Sequence, residues 1–181
     1  MSDTEQRLVE AEERLAGLEA RLTRLEDEAA VSALVLSYGP LVDSGRAEEV
    51  AGLWEEEGIY DVDALLMTGR EEIAAMVRSA RHQTWIGNGC AHIVGAPRVR
   101  VQGDTAVAVC YSTMITRDPD TSEFTVRRAS ANHWRLRRGP HGWRVTVRTN
   151  RVLDGRAESP ALLASGVADA GASAEPPTGR A

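Results

Sequence analysis

The sequence lacks the features that mark membrane and secreted proteins. No apolar run approaches the roughly 18 residues that a transmembrane helix needs. The opening residues, MSDTEQRL, are polar and acidic and lack the apolar segment of a secretory signal peptide. We therefore expect a cytoplasmic protein that does not insert into a membrane.

Cysteine is scarce and lysine is absent. Cys90 and Cys110 form no CxxC pair and no Cys/His cluster, so both are expected to be reduced thiols. All 21 basic residues are arginines, which we attribute to codon usage. With 27 acidic residues the formal net charge is -6. This charge argues against nucleic acid and anionic membranes as partners, because both are negatively charged.

Motifs for metals, nucleotides and serine nucleophiles are also missing. The sequence contains no HExxH string, and its four histidines do not have the spacing of metal ligands. It contains no GxGxxG or GxxxxGK glycine loop for phosphates and no GxSxG elbow. We therefore predict that the protein uses neither a metal nor a cofactor.

The 181 residues, 43% of them hydrophobic, fit one domain with appendages. Residues 3–28 are predicted to be helical, with a heptad repeat of apolar residues and charged residues outside it. Two interpretations of the arm 1–26 are open: a helix packed on its own domain, or a coiled coil between chains. Its regularity favours the second, so we predict a homo-oligomer, a dimer or a trimer. The heptad seam consists of Leu8, Ala11, Leu15, Leu18, Leu22, Leu25 and Ala29.

Apolar residues at helical spacing predict three further segments. The first covers 27–44 and is expected to kink or break at Gly39-Pro40, because proline interrupts helical hydrogen bonding. The others are predicted at 47–56 and 70–81. One early strand is predicted at 59–67, where apolar residues alternate.

After Gly89 apolar residues recur at every second position, which predicts four antiparallel strands in a row. Hairpin strands with helices on one face make an α+β domain. A strongly curved antiparallel sheet of this kind forms a cone, with the helices packed on it around one pocket. We place this domain at 27–155 and predict that the Ala-, Gly-, Ser- and Pro-rich tail 156–181 is disordered. The strands cover 91–101, with a break near 95–97, then 105–116, 123–137 and 143–152.

Three strings carry a resemblance to a known family: YGPLVDSGRAEEVAGLWEEEGIY, AHIVGAPRVRVQGDTAVAVCY and HWRLRRGPHGWRVTVR. In these strings the chain resembles the SnoaL-like branch of the nuclear transport factor 2 superfamily, over about residues 27–155. The superfamily holds enzymes and non-enzymes, so the resemblance implies the fold more than the activity. Its enzymes include scytalone dehydratase, hexachlorocyclohexane dehydrochlorinase, bile-acid dehydratases and ketosteroid isomerase.

The resemblance singles out Asp43, in LVDSGR, and His92, in CAHIVG. In the dehydratase and dehydrochlorinase relatives, an aspartate after this helix and a histidine on this strand form a catalytic dyad. An imidazole can accept a proton near neutral pH, and a carboxylate on its far nitrogen fixes the tautomer and stabilises the imidazolium. From the residues alone, Asp43 could equally lie in a helix-ending turn and His92 could be a buried, hydrogen-bonded core residue.

Further candidates surround this pair. Tyr38 resembles a tyrosine of some dehydratases, where a phenol can donate a proton to a leaving hydroxyl; a core position is the alternative. Asn132 would bind a substrate carbonyl or hydroxyl if its strand face is the inner one. Arg148 matches a cavity arginine of some relatives, although a solvated strand arginine is the simpler interpretation. The aromatic candidates for the pocket are Trp54, Tyr60, Trp85 and Trp134.

These residues predict a cofactor-independent lyase, a dehydratase or related elimination enzyme, for a small hydrophobic, cyclic or polyketide-like metabolite. His92 would be the general base, Asp43 its orienting partner and Tyr38 a candidate acid. Two departures from the family count against parts of this prediction. The segment after His92 reads GAP, where many relatives have an asparagine, and the acidic residues that the isomerases use on later strands have no counterpart. The alternatives are an isomerase or cyclase of the same fold, a binding module without turnover, and an assembly protein.

Overall fold

The computed structural model describes residues 2–171, which form five helices and seven strands. No helix in this part of the chain is both long and apolar enough to cross a membrane. In chain order the elements are α1 (Asp3–Asp43), α2 (Ala47–Ala51), β1 (Trp54–Val62), β2 (Leu65–Thr68), α3 (Gly69–Arg78), α4 (Ala80–Asn88), β3 (Cys90–Val94), β4 (Arg98–Gln102), β5 (Thr105–Arg117), β6 (Phe124–Gly139), β7 (Gly142–Val152) and α5 (Glu158–Gly171).

Helix α1 is one continuous helix of 41 residues. The predicted division into helices at 3–28 and 27–44 is therefore wrong, and of the two alternatives at Gly39-Pro40, a kink or a break, the break does not occur. The missing amide of Pro40 removes one helical hydrogen bond, and this loss falls in the last turn of the helix. Burial of apolar side chains against the rest of the domain holds this end in place. These side chains are Val31, Val35, Tyr38 and Val42.

The amino-terminal arm, residues 2–26, is exposed along its whole length. Burial begins at Asp27, whose carboxylate accepts a hydrogen bond from Trp143 Nε1 at 3.2 Å and pairs with Arg138. The arm therefore does not pack on its own domain, and its self-association stays a prediction. The heptad leucines Leu8, Leu15, Leu18, Leu22 and Leu25 are 50–59% exposed.

The strands form one curved sheet in the order β2-β1-β7-β6-β5-β3, with β4 also paired to β5. This sheet and its helices confirm the predicted α+β class. All neighbouring strands are antiparallel except β1 and β7, which run parallel with Ile59 beside Val147. The sheet is mixed because the chain crosses the whole domain between β1 and β7, which is long enough for a parallel pairing.

The segment between α2 and α3 differs from its prediction. Of the residues predicted to be helical at 47–56, only those of α2 form a helix, and β1 begins at Trp54. The Trp54 side chain is fully buried and its indole N–H donates to the Ile59 carbonyl at 3.1 Å, so tertiary packing overrides the helical spacing. The single strand predicted at 59–67 is a hairpin that turns from β1 into β2 at Asp63, whose φ is +49°.

The later elements follow the predicted pattern more closely. The helix predicted at 70–81 is divided at Ser79 into α3 and α4, and α4 continues through residues that had no predicted structure. The break predicted near 95–97 separates β3 from β4, and the three long strands predicted after it are β5, β6 and β7.

Different helices cover the two faces of the sheet. Helix α1 packs on the inner face, while α5 packs on the outer face over Val109 and His133. A Cβ at Gly166 would lie 2.9 Å from both of these side chains, so α5 approaches the strands at this glycine. The prediction of disorder is therefore wrong for 158–171, and the rest of the predicted disordered tail lies outside the described residues.

Candidate active site

A cavity of about 510 Å³ lies between the inner face of the sheet, the last turns of α1, and helices α3 and α4. Part of its wall is apolar and includes Val62, Met67, Met76 and Val94. The rest carries tyrosine, histidine, arginine and amide side chains. Cavities of this size with a few polar groups in an apolar wall are typical of small-molecule sites.

The fold brings Asp43 and His92 together at this cavity. Asp43 is the last residue of α1, and His92 lies at the centre of β3. The Oδ1 atom of Asp43 is 2.5 Å from His92 Nδ1, and Asp43 Oδ2 accepts the His92 backbone amide at 2.6 Å. These bonds orient both the carboxylate and the ring. Nε2 of His92, a residue that lines the cavity, has no hydrogen-bond partner within residues 2–171.

A close approach of α1 to β3 makes this contact possible. A Cβ at Gly39 would overlap the backbone carbonyl oxygen of His92, so a larger residue would push the helix away from the strand. Gly39 lies one turn before Asp43, and residues four apart occupy the same face of a helix. The glycine in YGPLVD therefore contributes to the position of the carboxylate.

The surroundings of Asp43 favour its charged form. Burial opposes ionisation of this carboxyl, but the hydrogen bonds and charge of His92 outweigh it, and the pKa of Asp43 lies below its ordinary value. The Cys90 thiol donates a third hydrogen bond to Asp43 Oδ1 at 3.4 Å. Burial and the negative charge of Asp43 raise the pKa of Cys90 to about 12, so this cysteine stays a thiol.

The same three side chains are the residues of this site that could hold a metal. The ligand atoms of Asp43, Cys90 and His92 lie within 4.8 Å of one another. A metal would have to displace the hydrogen bond between the carboxylate and the imidazole and would need a thiolate from a cysteine whose pKa is raised. The arrangement fits a hydrogen-bonded dyad better than a metal centre, and the absence of a metal requirement remains a prediction.

His82 on α4 lies beside His92 in the cavity wall. The two rings are nearly parallel, with 10° between their planes and 5.5 Å between their centroids. His82 is buried, and its Nε2 has no partner in the described part of the chain. Burial, and then the positive charge that His92 can carry, lowers the pKa of His82 to about 4, so this ring is neutral at pH 7. His82 was not predicted as a site residue.

Tyr38 and Tyr60 line the cavity, and their hydroxyl oxygens are 3.3 Å apart. The Tyr38 ring meets the His92 ring edge-on, with 6.4 Å between centroids, which places its phenol next to the dyad. Burial raises the pKa of Tyr60 above its ordinary value, so its hydroxyl remains a donor. Both tyrosines therefore lie in the wall of the cavity, and the role of Tyr38 as an acid stays a prediction.

Three other predicted site residues do not line the cavity. Trp54, Trp134 and Asn132 are completely buried behind its wall. Both tryptophan rings pack against Tyr38, with 6.1 Å between centroids in each case. Their predicted role is therefore corrected: they hold lining residues in position instead of contacting a ligand. Trp85, in contrast, does line the cavity.

Arg148 on β7 is 1% exposed, so its interpretation as a solvated strand residue is wrong. Its guanidinium carbon lies 4.0 Å from the ring centre of Tyr38, 4.5 Å from that of Tyr60 and 4.1 Å from that of Trp134. Nε and Nη2 both donate to Asn132 Oδ1, at 3.1 and 2.8 Å. Nη1 has no hydrogen-bond partner, and no carboxylate within residues 2–171 pairs with this arginine.

Arg128 on β6 is a lining residue that the sequence reasoning missed. Its Nη2 lies 2.6 Å from Asp63 Oδ2 and donates to Asn150 Oδ1 at 2.6 Å, while its Nε donates to Ser130 Oγ at 2.7 Å. Asn150 in turn donates to Asn132 Oδ1 at 2.8 Å, which connects this group to the Arg148 site. No motif marks these residues, because strands distant in sequence bring them together.

A long helix packed on a curved sheet around a cavity is the architecture of a nuclear transport factor 2-like protein. The SnoaL-like domain family matches residues 23–149, and the chain belongs to this family. The match extends from the middle of α1 into β7 and includes Asp43, His92 and Arg148. It confirms the resemblance seen in the sequence.

Solved structures support the same fold. A protein of Novosphingobium aromaticivorans, described as NTF2-like with a cystatin-like fold, is 43% identical with a TM-score of 0.80, over 82% of this chain and 96% of that chain. A protein of unknown function from Mycobacterium tuberculosis is 18% identical with a TM-score of 0.61, over 86% and 92% of the two chains. A Catenulispora acidiphila protein in complex with S-DNPA is 18% identical with a TM-score of 0.59, over 68% and 91%. No curated protein matches the chain.

Proposed function

We propose that the protein is a cofactor-independent lyase that removes water, or a comparable leaving group, from a small cyclic or polyketide-like molecule. The observation that carries this proposal is the 2.5 Å contact between Asp43 and His92, at a cavity of about 510 Å³. Membership of the SnoaL-like family, which includes dehydratases, supports it.

His92 is the general base of the proposed reaction. With the Nδ1 proton held by Asp43, Nε2 carries the lone pair and accepts a proton from a carbon next to a carbonyl group. The electron pair of that C–H bond forms a carbon–carbon double bond, and the bond to the leaving oxygen breaks. Asp43 stabilises the imidazolium that results, because its lowered pKa keeps it charged.

Tyr38 is the proposed acid of the second half of the reaction. Its ring meets that of His92, and its hydroxyl oxygen lies 3.3 Å from that of Tyr60. The Tyr38 phenol donates its proton to the departing hydroxyl, which leaves as water. Tyr60, whose raised pKa keeps it protonated, donates a hydrogen bond to the phenolate that is formed. The proton taken up by His92 then returns to Tyr38 through solvent.

A direct test compares product formation in wild type and His92→Gln over a panel of cyclic β-hydroxy ketones. We expect the wild type to give conjugated enones, detected by ultraviolet absorbance and by loss of water in mass spectra. The variant should be slower by about 10²–10⁴-fold, since it lacks the base. His141→Gln, the same change at an exposed histidine, is the control and should be unaffected.

Three results would redirect the proposal. Full activity in His92→Gln would remove the base from the mechanism. Products with the mass of the substrate would favour an isomerase or a cyclase, which can begin with the same proton abstraction. Binding without any product would favour the non-catalytic binding module.

The arm carries a separate proposal about assembly. Its exposed leucines, 50–59% accessible, form the apolar seam that a partner helix would bury, and we propose that a second or third copy of this chain supplies it. A cytoplasmic location remains part of the proposal and rests on the composition of the sequence.

A further inference from the structure

The cavity carries more positive than negative charge, although the whole chain has a net charge of -6. Among the described residues, its lining includes three arginines, Arg81, Arg128 and Arg148, and one carboxylate, Asp63. The Asp43 carboxylate lies next to the lining and is hydrogen-bonded to His92, so the arginines still outnumber the carboxylates. Asp63 is paired with Arg128 at 2.6 Å. Arg81 and Arg148 are therefore left without an acidic partner in residues 2–171, and the local charge is opposite to that of the molecule.

Arg148 is the more informative of the two, because it is 1% exposed and its charge is removed from water. A buried charge is costly unless it is neutralised and hydrogen-bonded. The three aromatic rings and Asn132 Oδ1 satisfy part of this requirement, since the oxygen accepts from Nε and Nη2. Nη1 remains without an acceptor.

We propose that the ligand of this cavity carries a carboxylate, which pairs with Arg148. A guanidinium is suited to this partner, because its planar N–H groups match carboxylate oxygens. The proposal deepens the proposed function by naming the substrate class, and it rests on that proposal for the cavity being the ligand site. It does not depend on elimination chemistry.

Tyr38 links the proposed carboxylate position to the dyad. Its ring lies 4.0 Å from the guanidinium carbon of Arg148, and its centroid lies 6.4 Å from that of His92. Tyr38 therefore packs against both Arg148 and His92, so a carboxylate held at Arg148 would lie near the dyad. Arg81, which is exposed and packs on Trp85, adds positive charge where the cavity opens and favours entry of an anion.

The experiment uses a matched pair of two-ring probes, naphthalene-1-carboxylate and the uncharged naphthalene-1-carboxamide, titrated into the full-length protein by calorimetry. We expect the carboxylate to bind about ten- to a hundredfold more tightly, the range for a hydrogen bond to a charged group. Equal affinity for the two probes, or no binding of the carboxylate at millimolar concentration, would overturn the proposal.

Asn132→Asp gives the decisive variant. It is nearly isosteric and supplies Arg148 with an internal carboxylate at the atom that already accepts its hydrogen bonds. The affinities for the two probes should then differ by less than about threefold. The control is Asn88→Asp, the same change at an exposed site outside this cavity, and it should retain the preference for the carboxylate. An undiminished preference in Asn132→Asp contradicts the role of Arg148. If Asn132→Asp does not fold, the wild-type comparison still decides between the outcomes.

Failure of this inference is separable from failure of the lyase proposal. The His92→Gln variant should keep the carboxylate preference even though its elimination is about 10²–10⁴-fold slower. A preference without any elimination in wild type would reject the lyase and keep the anion site. Elimination from uncharged substrates with no carboxylate preference would reject the anion site and keep the lyase.

Discussion

Asp43 accepts hydrogen bonds from the ring and the backbone amide of His92 and from the Cys90 thiol. One carboxylate therefore joins the end of α1 to β3 and also sets the tautomer of the imidazole. Structure and proposed chemistry depend on the same group, so a single substitution has two measurable effects.

Asp43→Asn should lower the turnover by about 10²–10⁴-fold, because an amide neither stabilises an imidazolium nor accepts at both positions. It should also change the pH dependence of stability. The folded pKa of Asp43 is lowered, so its contribution is present above the unfolded value of about 3.9 and is lost as pH falls through the folded value. Urea unfolding should show the wild-type advantage over Asp43→Asn at pH 7 shrinking below about pH 4. An advantage that does not vary with pH would contradict the charged state of Asp43.

His82 is expected to affect the free energy of unfolding at a higher pH than Asp43 does. Its folded pKa is about 4 against an ordinary value of 6.5, so between these values the unfolded chain binds the extra proton. The free energy of unfolding should therefore fall on acidification from about pH 6.5 to 4, by an amount on the order of 2 kcal/mol. His82→Phe should flatten this slope, while His141→Phe, at an exposed site, should not. Burial also lowers the pKa of His133, so some slope remains. An unchanged slope in His82→Phe would show that His82 is solvated.

The residues of the candidate site differ in how readily the sequence points to them. Asp43, His92 and Tyr38 stand in short strings that match family positions, and the structure brings them to one cavity. His82 and Arg128 lie on elements whose packing is set by distant strands, so no local spacing identifies them.

Among the elements, the long strands can be predicted from local patterns, whereas the shorter segments depend on packing against distant parts of the chain. The strands β5 to β7 are long, alternate regularly and pair as consecutive hairpins, so a local pattern is enough to predict them. Trp54 lies in β1 because its side chain is buried among other aromatic rings, which no local pattern records. Composition predicted a disordered tail, whereas α5 is a helix that packs closely on the sheet at Gly166.

Two glycines of α1 provide a matched test of element packing. Gly39→Ala should lower the free energy of unfolding by about 1–3 kcal/mol, because the added methyl overlaps the His92 carbonyl. It should also weaken the Asp43–His92 contact, visible as a change in the ring nitrogen shifts of His92. Gly17→Ala, where nothing lies within 4 Å, should raise the stability of the helix by up to about 1 kcal/mol. Equal stability of Gly39→Ala and wild type would mean that α1 and β3 are not held in close contact.

The whole molecule combines two surfaces of different character. A mainly apolar cavity with surplus arginine lies between the sheet and helices α1, α3 and α4, and an apolar seam is left exposed along the arm. Both are connected by α1, which at 41 residues is about 60 Å long and ends at the proposed dyad. Association of arms would therefore bring several cavities into one assembly without covering them.

The arm makes the last prediction, which concerns the mass of the particle in solution. Light scattering should give about two or three times the chain mass of 19.6 kDa for wild type. The double variant Leu15→Ser with Leu22→Ser removes two seam residues that are 56% and 57% exposed, and it should give the mass of a single chain. Arg14→Ser with Arg21→Ser changes neighbouring positions outside the seam and should keep the wild-type mass.

Probe binding should be the same in both double variants, since the arm contacts neither the core nor the cavity. A monomeric wild type would reject self-association of the arm. An oligomer that survives the leucine substitutions would place the interface elsewhere on the domain, and the exposed seam would then need another partner.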